Sequence, residues 1–153
     1  MAVEIGDEAP DFELADQHGT SVRLSEFRGR KNVLLVFYPL AFSGVCTGEL
    51  CGIRDDLPSF ANDNVQVLTV SVDSTYAHRV FAQRESIDYP LLSDFWPHGG
   101  VAQSYGVFDE NMGVATRGTF VIDKEGAVRW KVVNPIPEAR DADEYRKVLD
   151  QLP

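Results

Sequence analysis

Two strand-like runs, NVLLVFYP at 32–39 and VQVLTVSV at 65–72, constrain this chain most. The first is almost continuously apolar and ends in proline, which suits a strand covered on both faces, because a half-exposed strand would alternate. The second, rich in valine, reads as another buried strand. Between them Cys46, Leu50, Ile53, Leu57 and Phe60 recur at spacings of four, three, four and three, so they share one face of a helix. Pro58 falls inside that stripe and is expected to kink the helix or end it early, since its ring lacks an N–H and clashes with the preceding turn. Strand, helix and strand in this order form a right-handed βαβ unit with parallel strands.

The flanking segments complete the architecture. FELAD, the turn QHGT and SVRL read as an N-terminal hairpin, and TYAHRVFAQRES (75–86) reads as a second helix. LLSDFWPHGGVAQSYGVF looks irregular. GTFVID and AVRWKVV flank Lys124, Glu125 and Gly126 as an antiparallel hairpin, and ARDADEYRKVLDQL closes the chain as a helix. This order resembles an α/β thioredoxin-like fold: a central mixed sheet, helices on both faces and an N-terminal β-hairpin. No repeat, low-complexity tract or linker divides the 153 residues, so 1–153 is expected to be one domain with one core. The order of elements alone does not specify an activity.

Charge narrows the partners. Lys and Arg number 14 against 24 Asp and Glu, for a formal net charge of -10. Nucleic acid and anionic membrane surfaces need clustered cations, so neither is expected as a partner. Residues 1–25 lack a basic segment followed by an apolar run, and no stretch is long and apolar enough to span a bilayer. The expected location is the cytoplasm, where thiols stay reduced. Two cysteines there are more plausibly catalytic, redox-sensing or inert than a permanent staple. With His18, His78 and His98 scattered and read as surface or turn residues, they make a poor zinc site.

Cys46 stands where its helix begins. Ser43 can serve as N-cap, which places Gly44, Val45 and Cys46 in the first turn, where backbone N–H groups have no helical partner. A helix start favours a nearby anion by about 0.3–1 kcal/mol, at most about 2, which is too little alone to make a strongly activated thiolate. A cation is also required. If GTFVID runs antiparallel to NVLLVFYP, Arg117 at its start lies beside the strand end that leads to Cys46. The plainer readings are a packed small hydrophobe at 46, a surface arginine at 117 and a simple cap at 43.

The surrounding pattern decides against the first of these. Pro39, Ser43 and Cys46 complete P-x-x-x-[TS]-x-x-C, and YPLAFSGVCTGEL resembles the active-site loop of the peroxiredoxins. APDFELADQHGTSVRLSEF resembles the family's N-terminal hairpin and RGTFVID its arginine-bearing strand, in the same order. PLAFSGVCTGEL, LLSDFWPHGGVAQSYGVF and ATRGTFVID look most like the alkyl hydroperoxide reductase E type, a neighbour of the Q type. The resemblance implies a thiol-dependent peroxidase with no bound cofactor and Cys46 as the peroxidatic cysteine. Ser43, the N–H groups of Val45 and Cys46, and Arg117 would hold the peroxide oxygens, with Pro39 shielding the thiolate. Glu49 would orient an arginine, unless it lies on a solvated helix face. Phe42, Phe95 and Trp96 are candidate pocket walls, the last two alternatively a dimer contact or partly buried loop aromatics.

Cys51 is five residues beyond Cys46, the spacing at which the Q type often carries a resolving cysteine. Along an ideal helix that interval separates the Cα atoms by about 8.6 Å. A disulfide needs less than about 7 Å, so the first turns would have to unwind. Gly44, Gly48 and Gly52 make unwinding cheaper. Cys51 is therefore either a resolving cysteine or a packed thiol. The resemblance further implies a homodimer and a thioredoxin-like, glutaredoxin-like or low-molecular-weight thiol reductant. Rival functions on the same fold are a thiol–disulfide oxidoreductase, which would want a C-x-x-C pair, and a non-catalytic chaperone-like module.

Overall fold

The computed structural model describes residues 3–153. Its elements, in chain order, are β1 (Glu13–Ala15), β2 (Ser21–Arg23), a 3-10 turn (Leu24–Phe27), β3 (Asn32–Phe37), α1 (Gly44–Asp55), α2 (Leu57–Phe60), β4 (Val65–Ser71), α3 (Thr75–Glu85), β5 (Leu91–Ser93), α4 (Gly100–Ser104), β6 (Phe108–Asp109), β7 (Val114–Ala115), β8 (Arg117–Ile122), β9 (Val128–Asn134) and α5 (Ala142–Asp150). The central sheet runs β5-β4-β3-β8-β9. β3, β4 and β5 are parallel, whereas β8 is antiparallel to both β3 and β9. β1 and β2 form the separate antiparallel hairpin expected at the N-terminus.

Every residue of β3 and β8 is buried, because both lie inside the sheet and both faces are covered. The pleat then sorts side chains alternately. Leu34, Val36 and Val121 pack with Leu50 and Ile53 of α1, Phe81 of α3, and Tyr145 and Leu149 of α5. Val33, Leu35, Phe37, Phe120 and Ile122 face the other way, onto Ala102, Tyr105, Phe12 and Leu24. Pro58 acts as its chemistry requires: α1 stops at Asp55, and the separate turn α2 carries Pro58 near its start and still delivers Phe60 to the core. In the hairpin between β8 and β9, Gly126 takes a φ of +86°, and Asp123 Oδ1 accepts the N–H groups of Glu125 and Ala127.

Two expectations need correction. The stretch read as irregular from 91 onward contains β5, which extends the parallel ladder through Thr69 opposite Leu91 and Val70 opposite Leu92. A three-residue strand is too short to show a period, so only Pro90 and the paired leucines hint at it. His78 is not a surface residue: it is fully buried against the sheet, with Nε2 3.0 Å from Tyr38 Oη and 2.8 Å from Ser71 Oγ.

Burial pushes His78 down to about 4, against the opposing pull of the Asp73 carboxylate. Between its unfolded value of about 6.5 and that folded value the unfolded chain binds more protons, so folding loses stability as pH falls. The penalty is absent above pH 6.5 and reaches on the order of 3 kcal/mol near pH 4. In urea unfolding, wild type is therefore expected to lose more stability than His78→Gln between pH 7 and 4.5. Parallel loss in both proteins would show that the histidine does not fold in its neutral form.

Candidate active site

Topology brings the relevant loops to one edge of the sheet. The parallel strands β3, β4 and β5 all end there, and antiparallel β8 begins there. Val36 pairs with Thr119, so Arg117, two residues earlier on β8, stands level with Tyr38 at the mouth of the loop that leads to α1. Arg117, Thr119 and Val121 alternate onto the sheet face that α1 and α5 cover.

Cys46 sits in the first turn of α1, with no solvent-exposed surface and its thiol free. Arg117 Nη1 lies 3.2 Å from Cys46 Sγ and 2.6 Å from Glu49 Oε1, while Nε donates to the Ile136 carbonyl. The arginine side chain is only 3% exposed. Two anchors, Glu49 and the Ile136 carbonyl, therefore hold the guanidinium on the sulfur. The guanidinium can donate a charge-assisted N–H···S hydrogen bond to the sulfur in a site closed to water.

Ser43 occupies the N-cap position with extended backbone, and its carbonyl accepts the first helical N–H, from Thr47 at 2.8 Å. Its hydroxyl, however, does not cap: it donates to Leu40 O at 2.8 Å. The serine thus differs from the expected side-chain cap. The N–H groups of Gly44, Val45 and Cys46 precede the first helical hydrogen bond and remain aimed out of the helix start. Pro39 is buried between Tyr38 and the half-exposed Leu40.

The Glu49 side chain is almost wholly covered, which is at odds with a solvated helix face. One turn after Cys46, its side chain is 7% exposed and joins two arginines. Besides Arg117, it accepts from Arg140 Nε at 2.8 Å, Arg140 Nη2 at 2.9 Å and the Arg140 backbone N–H at 2.8 Å. Burial acts to raise the Glu49 carboxyl, but hydrogen bonds and charge from Arg140, with the charge of Arg117, outweigh it and hold the group below the usual carboxylate range. Arg140 itself reaches Gly118 O and Thr119 Oγ1 with Nη1, at 2.9 and 3.1 Å. Sequence reading did not single out Arg140. Its one signal is a cation directly before the helix-capping Asp141 in an otherwise acidic stretch.

The remaining candidates lie further out. Phe42 adopts a φ of +69° and packs edge-on against Phe81 at 5.0 Å, with the Arg84 guanidinium 5.9 Å from its ring. Phe95 and Trp96 follow β5 at the same sheet edge and are 54% and 82% exposed. Cys51 faces α3, where its thiol donates to Glu85 Oε1 at 3.5 Å. Burial and that hydrogen bond both raise the Cys51 thiol above its ordinary value. Tyr89 Oη donates to Leu50 O, and Arg54 Nη1 to Glu85 O, so the second half of α1 is pinned.

Known proteins resemble this chain over nearly its whole length. The model of the AhpC/TSA family matches residues 5–131. The chain is 50% identical over 150 residues to alkyl hydroperoxide reductase E of Mycobacterium tuberculosis, covering 98% of each protein. It is 37% identical over 158 residues to the chloroplastic 2-Cys peroxiredoxin BAS1 of Spinacia oleracea, covering 97% of this chain and 59% of that one. Among solved structures, Enterococcus faecalis AhpC superposes with a TM-score of 0.87 at 32% identity, over 98% of this chain and 92% of that one. Peroxidoxin BcpB from Mycobacterium tuberculosis superposes with a TM-score of 0.85 at 36% identity, over 97% of each. On its sequence, its fold and the cysteine–arginine pair at the sheet edge, the chain belongs to the AhpC/TSA family of peroxiredoxins.

Proposed function

We propose that this thiol-dependent peroxidase reduces hydrogen peroxide and organic hydroperoxides at Cys46, and the observation that carries this is the Arg117 guanidinium 3.2 Å from the Cys46 sulfur. The thiolate attacks the terminal oxygen of RO–OH. An S–O bond forms as the O–O bond breaks. The sulfur is oxidised to a sulfenic acid, and RO⁻ takes a proton and leaves as alcohol or water. Arg117 and the N–H groups of Val45 and Cys46 hold the reacting oxygens as negative charge shifts from sulfur to the leaving oxygen. Ser43 spends its own proton on Leu40 O, so its lone pairs are free to accept the hydroperoxide O–H. Pro39 shields the thiolate from bulk water, and Glu49 with Arg140 keeps Arg117 in position.

Phe42 walls the substrate approach in this reading. Phe95 and Trp96, large and exposed at the same edge, form a contact of a homodimer, which sedimentation of the reduced protein checks. The chain acts as a single domain in a reducing cytoplasm. No helix among the described residues is long and apolar enough to cross a membrane. A thioredoxin-like, glutaredoxin-like or small thiol returns the enzyme to its reduced state. The absence of a C-x-x-C pair disfavours a disulfide oxidoreductase.

Cys51 resolves the sulfenic acid by attacking Cys46–SOH, which forms the disulfide and releases water. Support for this comes from its spacing and from Gly44, Gly48 and Gly52, which lower helix propensity and where an added Cβ would meet no atom within 4 Å beyond its chain neighbours and the helix's own backbone. Because Cys51 and the second half of α1 are pinned to α3 and Tyr89, the segment that unwinds is the first turns around Cys46. Intact mass after one equivalent of peroxide tests both steps. Wild type is expected to lose two hydrogens, Cys51→Ser to gain one oxygen, and Cys46→Ser to stay unchanged. A gain of one oxygen in wild type would leave peroxidase chemistry standing but transfer resolution to an external thiol.

A further inference from the structure

The loop that carries Ser43 to the site is held in an unusual shape from below. Phe42 has a positive φ, a conformation that a bulky residue seldom adopts unless its surroundings impose it. Directly before it, the Ala41 N–H donates to Asp73 Oδ2 at 2.8 Å. The same oxygen accepts the Ser71 hydroxyl at 2.6 Å. Ser71 Oγ is in turn 2.8 Å from the buried His78 Nε2, which also lies 3.0 Å from Tyr38 Oη at the root of the loop. The backbone of Asp73 is fixed as well, because Ser93 of β5 donates to its carbonyl at 2.6 Å. One network from the ends of β4 and β5 thus holds the loop at Tyr38 and again at Ala41.

We infer that Asp73 is a positioning residue for the peroxidase reaction: its Oδ2 clamps the Ala41 N–H, which keeps Phe42 in its left-handed conformation and Ser43 at the start of α1. This rests on the reading of Cys46 and Ser43 given above. The Ser71 proton is committed to the carboxylate, so the His78 ring serves as a donor or bystander at Ser71 and does not compete for Oδ2. His78 Nδ1 has no hydrogen-bond partner among the described residues, and Asp73 Oδ2 lies 3.8 Å from Nε2, beyond a direct hydrogen bond. Both bonds to Asp73 end on a single oxygen. An asparagine can place its amide oxygen there and keep both, whereas alanine keeps neither.

The test compares Asp73→Ala and Asp73→Asn by stopped-flow reaction with hydrogen peroxide, alongside amide hydrogen exchange at Ala41. Asp73→Ala is expected to slow sulfur oxidation by about tenfold to a hundredfold, the scale of a misplaced reacting group, and to lose protection at Ala41. Asp73→Asn is expected to restore most of the rate and the protection. An unchanged rate in Asp73→Ala, or equal losses in both variants, would overturn the inference. If Asp73→Ala fails to fold, Ser71→Ala carries the test: it frees Asp73 from its second bond and is expected to weaken Ala41 protection and slow the reaction several-fold, and no change in either would overturn the inference. Loss of all peroxide reactivity in wild type would instead remove the reading on which the inference rests.

Discussion

Replacing Arg117 by methionine is expected to slow the reaction of the reduced protein with hydrogen peroxide by about a hundred- to a thousandfold. The guanidinium both partners the sulfur and offers a donor where charge arrives on the leaving oxygen. Methionine keeps the packing volume and removes both functions. Glu49 stays paired with Arg140 in this variant, so the fold is expected to survive and circular dichroism to match wild type. Lysine is not an adequate substitute, since a single ammonium cannot span Cys46, Glu49 and the Ile136 carbonyl as the planar fork does. A rate for Arg117→Met close to that of wild type would mean that the 3.2 Å contact has no part in the chemistry.

The second large effect concerns stability. Glu49→Ala leaves the Arg117 and Arg140 side chains, 3% and 2% exposed, without the carboxylate between them. Breaking a buried ion pair from one side costs about 3–5 kcal/mol, because the remaining charge has lost its solvent and gained no partner. Urea unfolding at pH 7 is expected to show a loss of this order, together with slower peroxide oxidation as Arg117 loses an anchor. The sign with pH follows from the lowered Glu49 carboxyl: its contribution is present above the unfolded value of about 4.3 and is lost as pH falls through the folded value. A stability within about 1 kcal/mol of wild type would show that the two arginines do not depend on Glu49.

What could be read in the chain follows from how local the responsible physics is. β3 was legible because a strand covered on both faces must be apolar throughout, and α1 because its buried side repeats every three or four residues. The loop from Pro39 to Cys46 was legible as a pattern of residue types at fixed spacing, and Arg117 because strand order alone carries the start of β8 to that loop. Arg140 was not, since the chain between α1 and the turn before α5 shows no period that aims it at Glu49. His78 reads as polar in any composition and becomes a core residue only through Tyr38 and Ser71, which are brought to it by tertiary packing. The Ser43 hydroxyl could have turned either to the helix or to Leu40 O, and only the path of the loop settles that it does the latter.

Stopped-flow mixing of the reduced protein with hydrogen peroxide, following tryptophan fluorescence in wild type and in Cys46→Ser, addresses the role of this cysteine most directly. Wild type is expected to respond rapidly, at a rate proportional to peroxide concentration, and Cys46→Ser to show no response. No response in wild type, or the same response in both proteins, would contradict the assignment of peroxide reduction to Cys46.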